Sequence, residues 1–411
     1  MNTVVPTILA SLRQGSPMRF DRFMALALYC PGSGYYEQKP DNPGPHGDYF
    51  TSVHVGPLFA ELLAFQLADW LAVLARRQPE APLRCVEAAA HDGRLARRIL
   101  EWFAQHRPDL SRRLRYVILE PSERRRAWQR KTLGPWAEQV DWPGEPADLS
   151  DPDAPTWLPL PQHSIAGVVF SNELLDAFPV RRLCWDARAR QWSEWGVAWA
   201  QNRFVQVRMP DNPDHTRERL QLLTALGLEP PPEVQAILPD GFTLDISPGA
   251  VDWWRRAARS LQVGWLMTID YGLTAEECFQ PHRRAGTLRA YYRHRLVSDP
   301  LLRPGEQDLT AHVIFSALQR AGEAAGLCTV LWQRQESFLI RIAERWAAWA
   351  GGRLPWDPAR LRQFHTLVHP EHLGRAFQVF VQCTPGLEDA AMPSKPESST
   401  RTAEAPESKA R

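Results

Sequence analysis

Arg84-Cys85-Val86-Glu87-Ala88-Ala89-Ala90-His91-Asp92-Gly93-Arg94-Leu95 is an apolar run ending in an acid, a tight turn, and the opening of a helix at Leu95. A continuous apolar run bounded by a turn is the pattern of a strand buried on both faces. Strand, turn and helix in that order form the repeating unit of a parallel α/β sheet. Similar apolar runs stand at 115–120, 139–142, 166–171 and 264–270, with helix-forming segments between them. Two later runs, 329–333 and 377–382, are placed to close the sheet as an antiparallel pair, which predicts seven strands.

Around this core the organisation is uneven. Residues 1–80 read as a helical N-terminal segment or lid, since Phe20, Phe23, Met24 and Leu28 keep helical spacing and 58–74 is an apolar, helix-forming run. The core is predicted over 81–385. Within it, 182–245 alternates like an antiparallel β insertion around 192–199 and 204–209, and 273–325 is expected to be a helical insertion. The Pro-, Ser-, Glu- and Ala-rich stretch 386–411 is expected to be a disordered tail.

Composition narrows the function classes. The 411 residues carry a net charge of +1 with 44% apolar and 23% charged residues, so there is no basic excess for nucleic acid. Six scattered cysteines, with no C-x-x-C pair, argue against a disulfide framework and against structural zinc, and fit a reducing compartment. The histidines form no ligand-spaced cluster, so no metal is expected. No apolar run reaches the roughly 18 residues of a membrane span, and no secretory signal is visible. A cytoplasmic, bacterial setting is expected rather than a mitochondrial one.

An open α/β sheet binds ligands beyond the carboxyl ends of its strands, so the residues there carry the chemistry. The turn Glu87, Ala89, His91, Asp92, Gly93 is either a ligand-cradling loop or an ordinary strand-to-helix connection. Glu120 ends the second strand, where a carboxylate can hold two ribose hydroxyls at once or simply be solvated. Trp142, after the third, is either a lip for an adenine ring or core. Ser171-Asn172-Glu173-Leu174-Leu175-Asp176-Ala177-Phe178-Pro179 follows the fourth. Glu173 and Asp176, at i and i+3, can share a side with Asn172 beside them. Paired carboxylates suit a guanidinium, a planar fork of donors that keeps its proton; the plainer reading is a helix cap and a surface ion pair.

Several blocks, taken in order, resemble the MidA-like methyltransferase family. They are Phe23-Met24 with Tyr29-Cys30-Pro31-Gly32-Ser33-Gly34-Tyr35-Tyr36; Gly47-Asp48-Tyr49-Phe50-Thr51-Ser52; Asn172 to Val180; Ile269-Asp270-Tyr271-Gly272; Arg284-Ala285-Gly286-Thr287-Leu288-Arg289-Ala290-Tyr291; and Pro304-Gly305-Glu306-Gln307-Asp308-Leu309-Thr310-Ala311-His312-Val313. The family includes the mitochondrial arginine methyltransferase that helps assemble respiratory complex I. The resemblance implies a seven-stranded, Rossmann-like class I methyltransferase sheet and S-adenosyl-L-methionine as cofactor. It also implies methylation of arginine in a protein partner such as a respiratory-complex subunit. Glu87, Ala89, His91, Asp92, Gly93, Glu120, Trp142 and Asp48 are then the cofactor-binding set, and Glu173, Asp176 and Asn172 the catalytic one. The chain departs from the family's E-x-G-x-G-x-G turn at Ala89 and His91, which motivates the alternative of a non-catalytic assembly protein on the same fold. A dinucleotide oxidoreductase fits less well, because G-x-G-x-x-G is missing.

Other residues have two readings each. Asp48, Tyr49 and Phe50 are either a lid over the donor or packing; Asp270 and Tyr271 belong to a turn at the same sheet edge. Asp308 and His312, at i and i+4 on a helix expected after Gly305, either line the substrate entrance or reflect Asp308 capping that helix, and the arginines over 283–295 either meet an acidic partner or form a solvated face.

Overall fold

The computed structural model describes residues 4–12, 16–38, 51–210, 212–293, 295–370 and 373–392. Seven of its strands follow the apolar runs: β1 (Leu83–Ala88), β2 (Leu114–Leu119), β3 (Val140–Asp141), β4 (Ile165–Asn172), β5 (Leu261–Leu273), β6 (Cys328–Arg334) and β7 (Phe377–Cys383). They lie in the order β3-β2-β1-β4-β5-β7-β6. All are parallel except β7, which runs antiparallel to both neighbours. The sheet has eight strands rather than seven. β5 runs 13 residues, and past its last partner on β4, Asn172, its end pairs with Val313–Ile314.

Both faces of the sheet are covered, as a parallel sheet requires. On one face lie the helices Pro57–Arg77, Arg94–His106 and Gln335–Trp349, packed on Cys85, Ile118, Phe170 and Met267. On the other, Pro248–Ser260 and Phe315–Ala324 meet the alternate residues Val86, Leu119, Val169 and Leu266. The helix Pro57–Arg77 is long and apolar enough to cross a membrane by composition, yet 89% of its apolar window is buried inside the protein. It lacks a polar face because it is surrounded; Trp70 on it stacks against Trp265 of β5 at 5.4 Å.

Three expectations need correction. Segment 273–325 is not mainly helical: after the short 3-10 turns Glu277–Phe279 and Pro281–Arg283, Arg289–Tyr292, Arg295–Val297 and Asp308–Thr310 form a small antiparallel sheet, and an α-helix comes only at Phe315–Ala324. Asp308 therefore caps no helix. It stands opposite Tyr291 in that sheet, and its carboxylate accepts the Tyr36 hydroxyl at 2.7 Å. Residues 386–392 pack instead of trailing: Leu387 and Ala391 are buried, and the Trp70 indole N–H donates to the Ala391 carbonyl at 2.8 Å. The rest of the expected tail lies outside the described residues.

The region 182–245 carries the expected antiparallel strands, Arg181–Asp186, Gln191–Ala200, Arg203–Arg208 and Thr243–Ile246. The N-terminal segment adds one more, since Met18–Arg19 pairs with Val197 and Gly196. That pairing seats the helix Phe20–Tyr29 beside the sheet's carboxyl edge.

The start of the central strands tolerates no side chain. A Cβ on Gly167 would sit 1.9 Å from the Arg84 carbonyl oxygen, and one on Gly264 only 1.8 Å from the Gly167 carbonyl oxygen. Backbone must move to admit a methyl group. Gly167→Ala is expected to lower stability by about 2 kcal/mol or more, read as a shift in the urea midpoint at unchanged m-value.

Candidate active site

At the end of β1 the backbone turns through positive φ three times, at Ala89 (57°), His91 (47°) and Gly93 (85°). Only the third is glycine, so the glycine-type turn survives with two side chains forced into it. A non-glycine residue there costs about 1–2 kcal/mol, a strain that persists only where the surroundings over-determine it. The surroundings are visible. The Ala89 N–H bonds to the Leu119 carbonyl at 3.1 Å, and Asp92 accepts the Arg94 N–H at 3.0 Å, capping the next helix. A Cβ on Gly93 would meet the Gln129 Cα at 3.1 Å, so glycine lets the turn lie against the helix Glu123–Leu133.

Gln129 organises this end of the site, and no sequence signal marked it. It is fully buried, and its amide group donates to the His91 carbonyl (3.0 Å) and the Glu120 carboxylate (3.1 Å) while accepting the Trp142 indole N–H (2.8 Å). Three separately expected site residues thus meet on one side chain.

A cavity of about 480 Å³ opens beside the turn, within the range of small-molecule sites. Of the expected residues, Glu87, Ala89, His91, Asp92, Asn172 and Glu173 line it. Gly93, Glu120, Trp142 and Asp176 do not reach the wall. Asp48 lies outside the described residues, as do Tyr49 and Phe50. Glu120 stops short because its carboxylate is fully enclosed: it pairs with Arg125 at 3.1 Å and accepts the Ser122 N–H at 2.9 Å as well as Gln129. Arg125 takes the place on the wall instead. Trp142 is turned to Gln129, with the Arg130 guanidinium 5.1 Å over its ring. The loop 147–157 forms the outer wall, which sequence reasoning missed; its three acids, Asp148, Asp151 and Asp153, were the available signal. Arg19 and Arg22 pin it with ion pairs to Asp153 (2.6 Å) and Asp151 (3.2 Å).

The inner end of the site is acidic: Glu87 and Glu173 line the cavity, and Asp176 and Asp270 lie buried behind it. Glu173 has φ 54° and receives the Asn172 amide at 3.0 Å. Burial pushes its carboxyl up to about 8, against the Asn172 hydrogen bond and with help from the Asp270 charge. Asp176 is raised well above the ordinary range by burial and then by Asp270, Asp308 and Glu173. Asp270 is pushed by burial up to about 7, although backbone N–H groups favour its charge. Glu87, which accepts the Tyr116 hydroxyl at 2.6 Å, is likewise pushed by burial to about 8. Among the described residues no arginine, lysine or histidine forms an ion pair with Glu173, Asp176 or Asp270. The Asn172 Oδ1 atom is buried and has no hydrogen-bond partner there. His91 is driven down to about 4 by burial, so a neutral imidazole faces the cavity at pH 7. Such a wall holds protons when empty and welcomes a cation.

Comparison with known proteins fits this geometry. The family model described as "Putative S-adenosyl-L-methionine-dependent methyltransferase" matches residues 62–333. The chain is 24% identical over 405 residues to the mitochondrial "Protein arginine methyltransferase NDUFAF7 homolog" of Drosophila melanogaster, covering 94% of this chain and 86% of that one. It is 24% identical over 402 residues to the human protein arginine methyltransferase NDUFAF7, covering 92% and 83%. A crystal structure from Burkholderia thailandensis bound to S-adenosyl-homocysteine superposes with TM-score 0.74 at 29% identity over 92% of this chain and 91% of that one. A native crystal structure of the same superfamily and organism gives 0.73 at 28%, over 97% and 94%.

Two outcomes follow. Ala89→Gly is expected to raise stability by about 1 kcal/mol by relieving the positive φ, measured by urea denaturation. The second concerns pH. Glu87 and Glu173 hold protons in the fold up to about 8, and Asp270 to about 7, whereas the unfolded carboxyls release theirs near 4. The folded state therefore binds more protons than the unfolded one, and stability falls as pH rises through that window. His91 and His312, lowered to about 4, oppose this only up to their unfolded value of 6.5. Thermal melts of the ligand-free protein at fixed ionic strength should drop steadily from pH 6.5 to 8; a flat or rising melting temperature contradicts the buried, uncharged wall.

Proposed function

This chain belongs to the MidA-like family of S-adenosyl-L-methionine-dependent methyltransferases, and on that premise we propose that it methylates arginine side chains of a protein partner. The observation that carries the arginine reading is the carboxylate pair Glu173 and Asp176: Glu173 lines the cavity, Asp176 is buried behind its wall, and neither has an ion-pair partner among the described residues. A guanidinium supplies the missing positive charge and offers planar donors matched to carboxylates. The names of the relatives point the same way.

S-adenosyl-L-methionine is the family's cofactor, and the residues present suit it. The turn keeps its glycine-like backbone, Asn172 Oδ1 is an unused buried acceptor, and Glu87, Asp92 and Glu173 offer carboxylates to an ammonium or a sulfonium. When bound it supplies an electrophilic methyl group. Ala89, His91, Asp92 and Glu87 would hold its amino-acid end. Gly93 and Trp142 act from behind the wall, through their contacts with Gln129. Glu120 reaches a ribose only if Arg125 yields its place.

The chain's own groups then divide the work. Entry of a guanidinium draws protons off Glu173 and Asp176, which become its counter-charges in a site of low dielectric. Asn172 orients the Glu173 carboxylate by donating to it. Glu173 stands to accept the proton lost by the nitrogen that takes the methyl. Catalysis of this kind is positioning and electrostatics. The Glu120–Arg125 pair keeps a second reading open, a non-catalytic assembly protein that retains the partner surface.

Calorimetric titration with S-adenosyl-L-methionine, and incubation with the labelled cofactor plus proteins that co-purify with the chain, separate the two. Label recovered in methylarginine after hydrolysis supports the enzyme, a respiratory subunit being the acceptor to look for first. Binding without label anywhere favours the assembly role, and label confined to another residue type overturns the arginine assignment. Glu173→Gln is expected to cut transfer by about 100-fold or more, read as methylarginine formed at saturating S-adenosyl-L-methionine.

A further inference from the structure

Asp270, at the carboxyl end of β5, has no surface at all and does not reach the cavity, yet its carboxylate is fully engaged. One oxygen accepts the Leu175 N–H at 2.8 Å and the Asp176 N–H at 3.4 Å; the other accepts the Tyr271 N–H at 2.9 Å. The first two donors belong to the 3-10 turn Leu175–Ala177, which begins two residues after Glu173 and its positive φ. The turn has few other ties. The Glu173 N–H bonds to the Ile269 carbonyl at 2.9 Å, the Tyr29 hydroxyl donates to the Ala177 carbonyl at 2.8 Å, and the Ala311 N–H to the Asp176 carbonyl at 2.9 Å. We propose that Asp270 is a positioning residue for the acceptor-holding pair: it clamps the turn that carries Glu173 and Asp176, and its charge sets how the pair responds to pH. This rests on the reading of that pair as the acceptor site.

The charge part follows from what surrounds Asp270. Glu173 and Asp176 come from the turn, Tyr271 from its own strand, Asp308 and Tyr291 from the small sheet, and Tyr29 and Tyr36 from the N-terminal helices. The cations within reach are spoken for or peripheral. Arg125 pairs with Glu120, Arg289 donates to the Leu288 carbonyl, and His54 bonds to the Thr51 hydroxyl at 2.6 Å. Asp270 is, after burial, the largest influence raising Asp176, and the largest charge raising Glu173. Its backbone donors favour its own ionisation, so among the inner acids it is built to carry the negative charge and leave the protons on the pair.

Asp270→Asn separates this from a merely structural cap, because with its amide oxygen turned to the 175–176 turn it still accepts the Leu175 N–H, while the charge is lost together with the acceptor for the Tyr271 N–H. The carboxyl carbon of Glu173, followed by carbon-13 NMR and identified by difference against Glu173→Gln, should then titrate about one pH unit lower than in the unaltered chain. The acid limb of methyl transfer to an arginine-glycine repeat peptide should move with it, while S-adenosyl-L-methionine affinity stays unchanged. Asp270→Ala, which removes the acceptor too, should depress kcat about 100-fold with the cofactor still bound. An unchanged Glu173 titration in a folded Asp270→Asn, or full turnover in a folded Asp270→Ala, overturns the proposal. Absence of methylarginine with the unaltered chain sinks the arginine reading instead, and the NMR titration still judges Asp270.

Discussion

Register across the parallel strands is the constraint on which this site depends. Leu119, Ala88, Ser171 and Thr268 stand level on β2, β1, β4 and β5. Residues of four strands therefore stand at one height, and Glu120, Ala89, Asn172 and Asp270 follow within two residues. Slip of one strand by a single residue would exchange its buried and outward faces and carry its catalytic end out of line. The glycines at 167 and 264 let the strands approach at their other ends, and Ser171 and Thr268 add a buried side-chain hydrogen bond of 2.9 Å between β4 and β5.

That alignment gathers several acids at one end of the sheet. Glu87, Asp176 and Asp270 are buried and Glu173 is half-buried on the cavity wall, and a desolvated carboxylate without a cation holds its proton more tightly. Arginine abounds in the chain, and buried pairs are made elsewhere: Arg181 with Glu194, Arg182 with Asp245, Arg125 with Glu120. Among the described residues the inner acids are not paired in that way. A cation is the natural complement to such a wall, so its binding and proton release become linked events.

The backbone tells the same story in another form. Ala89, His91 and Glu173 all adopt positive φ, and all three line the cavity. Replacing two glycines of the family turn has not unmade its shape. The Gln129 network and the Asp92 cap hold it, which locates the cost of the substitution in stability rather than in geometry.

The linear chain determined the sheet and its order of elements, because continuous apolar runs and the turns between them are local properties. It determined the acids at strand ends for the same reason, and the ordered motif blocks named the family. Other features were decided only in three dimensions. Asp308 was assigned to a helix because Gly305 and the following residues look like a helix start, yet pairing with Tyr291 across 17 positions makes it a strand. Glu120 ends its strand as expected, but a neighbouring arginine one helical turn on encloses it. Gln129 carries no local mark in its arginine-rich helix, and Asp270 looks like any acid at a turn. Which acid lines a cavity, which clamps another, and which keeps its proton depend on burial and on neighbours far along the chain, and those exist only once the strands stand side by side.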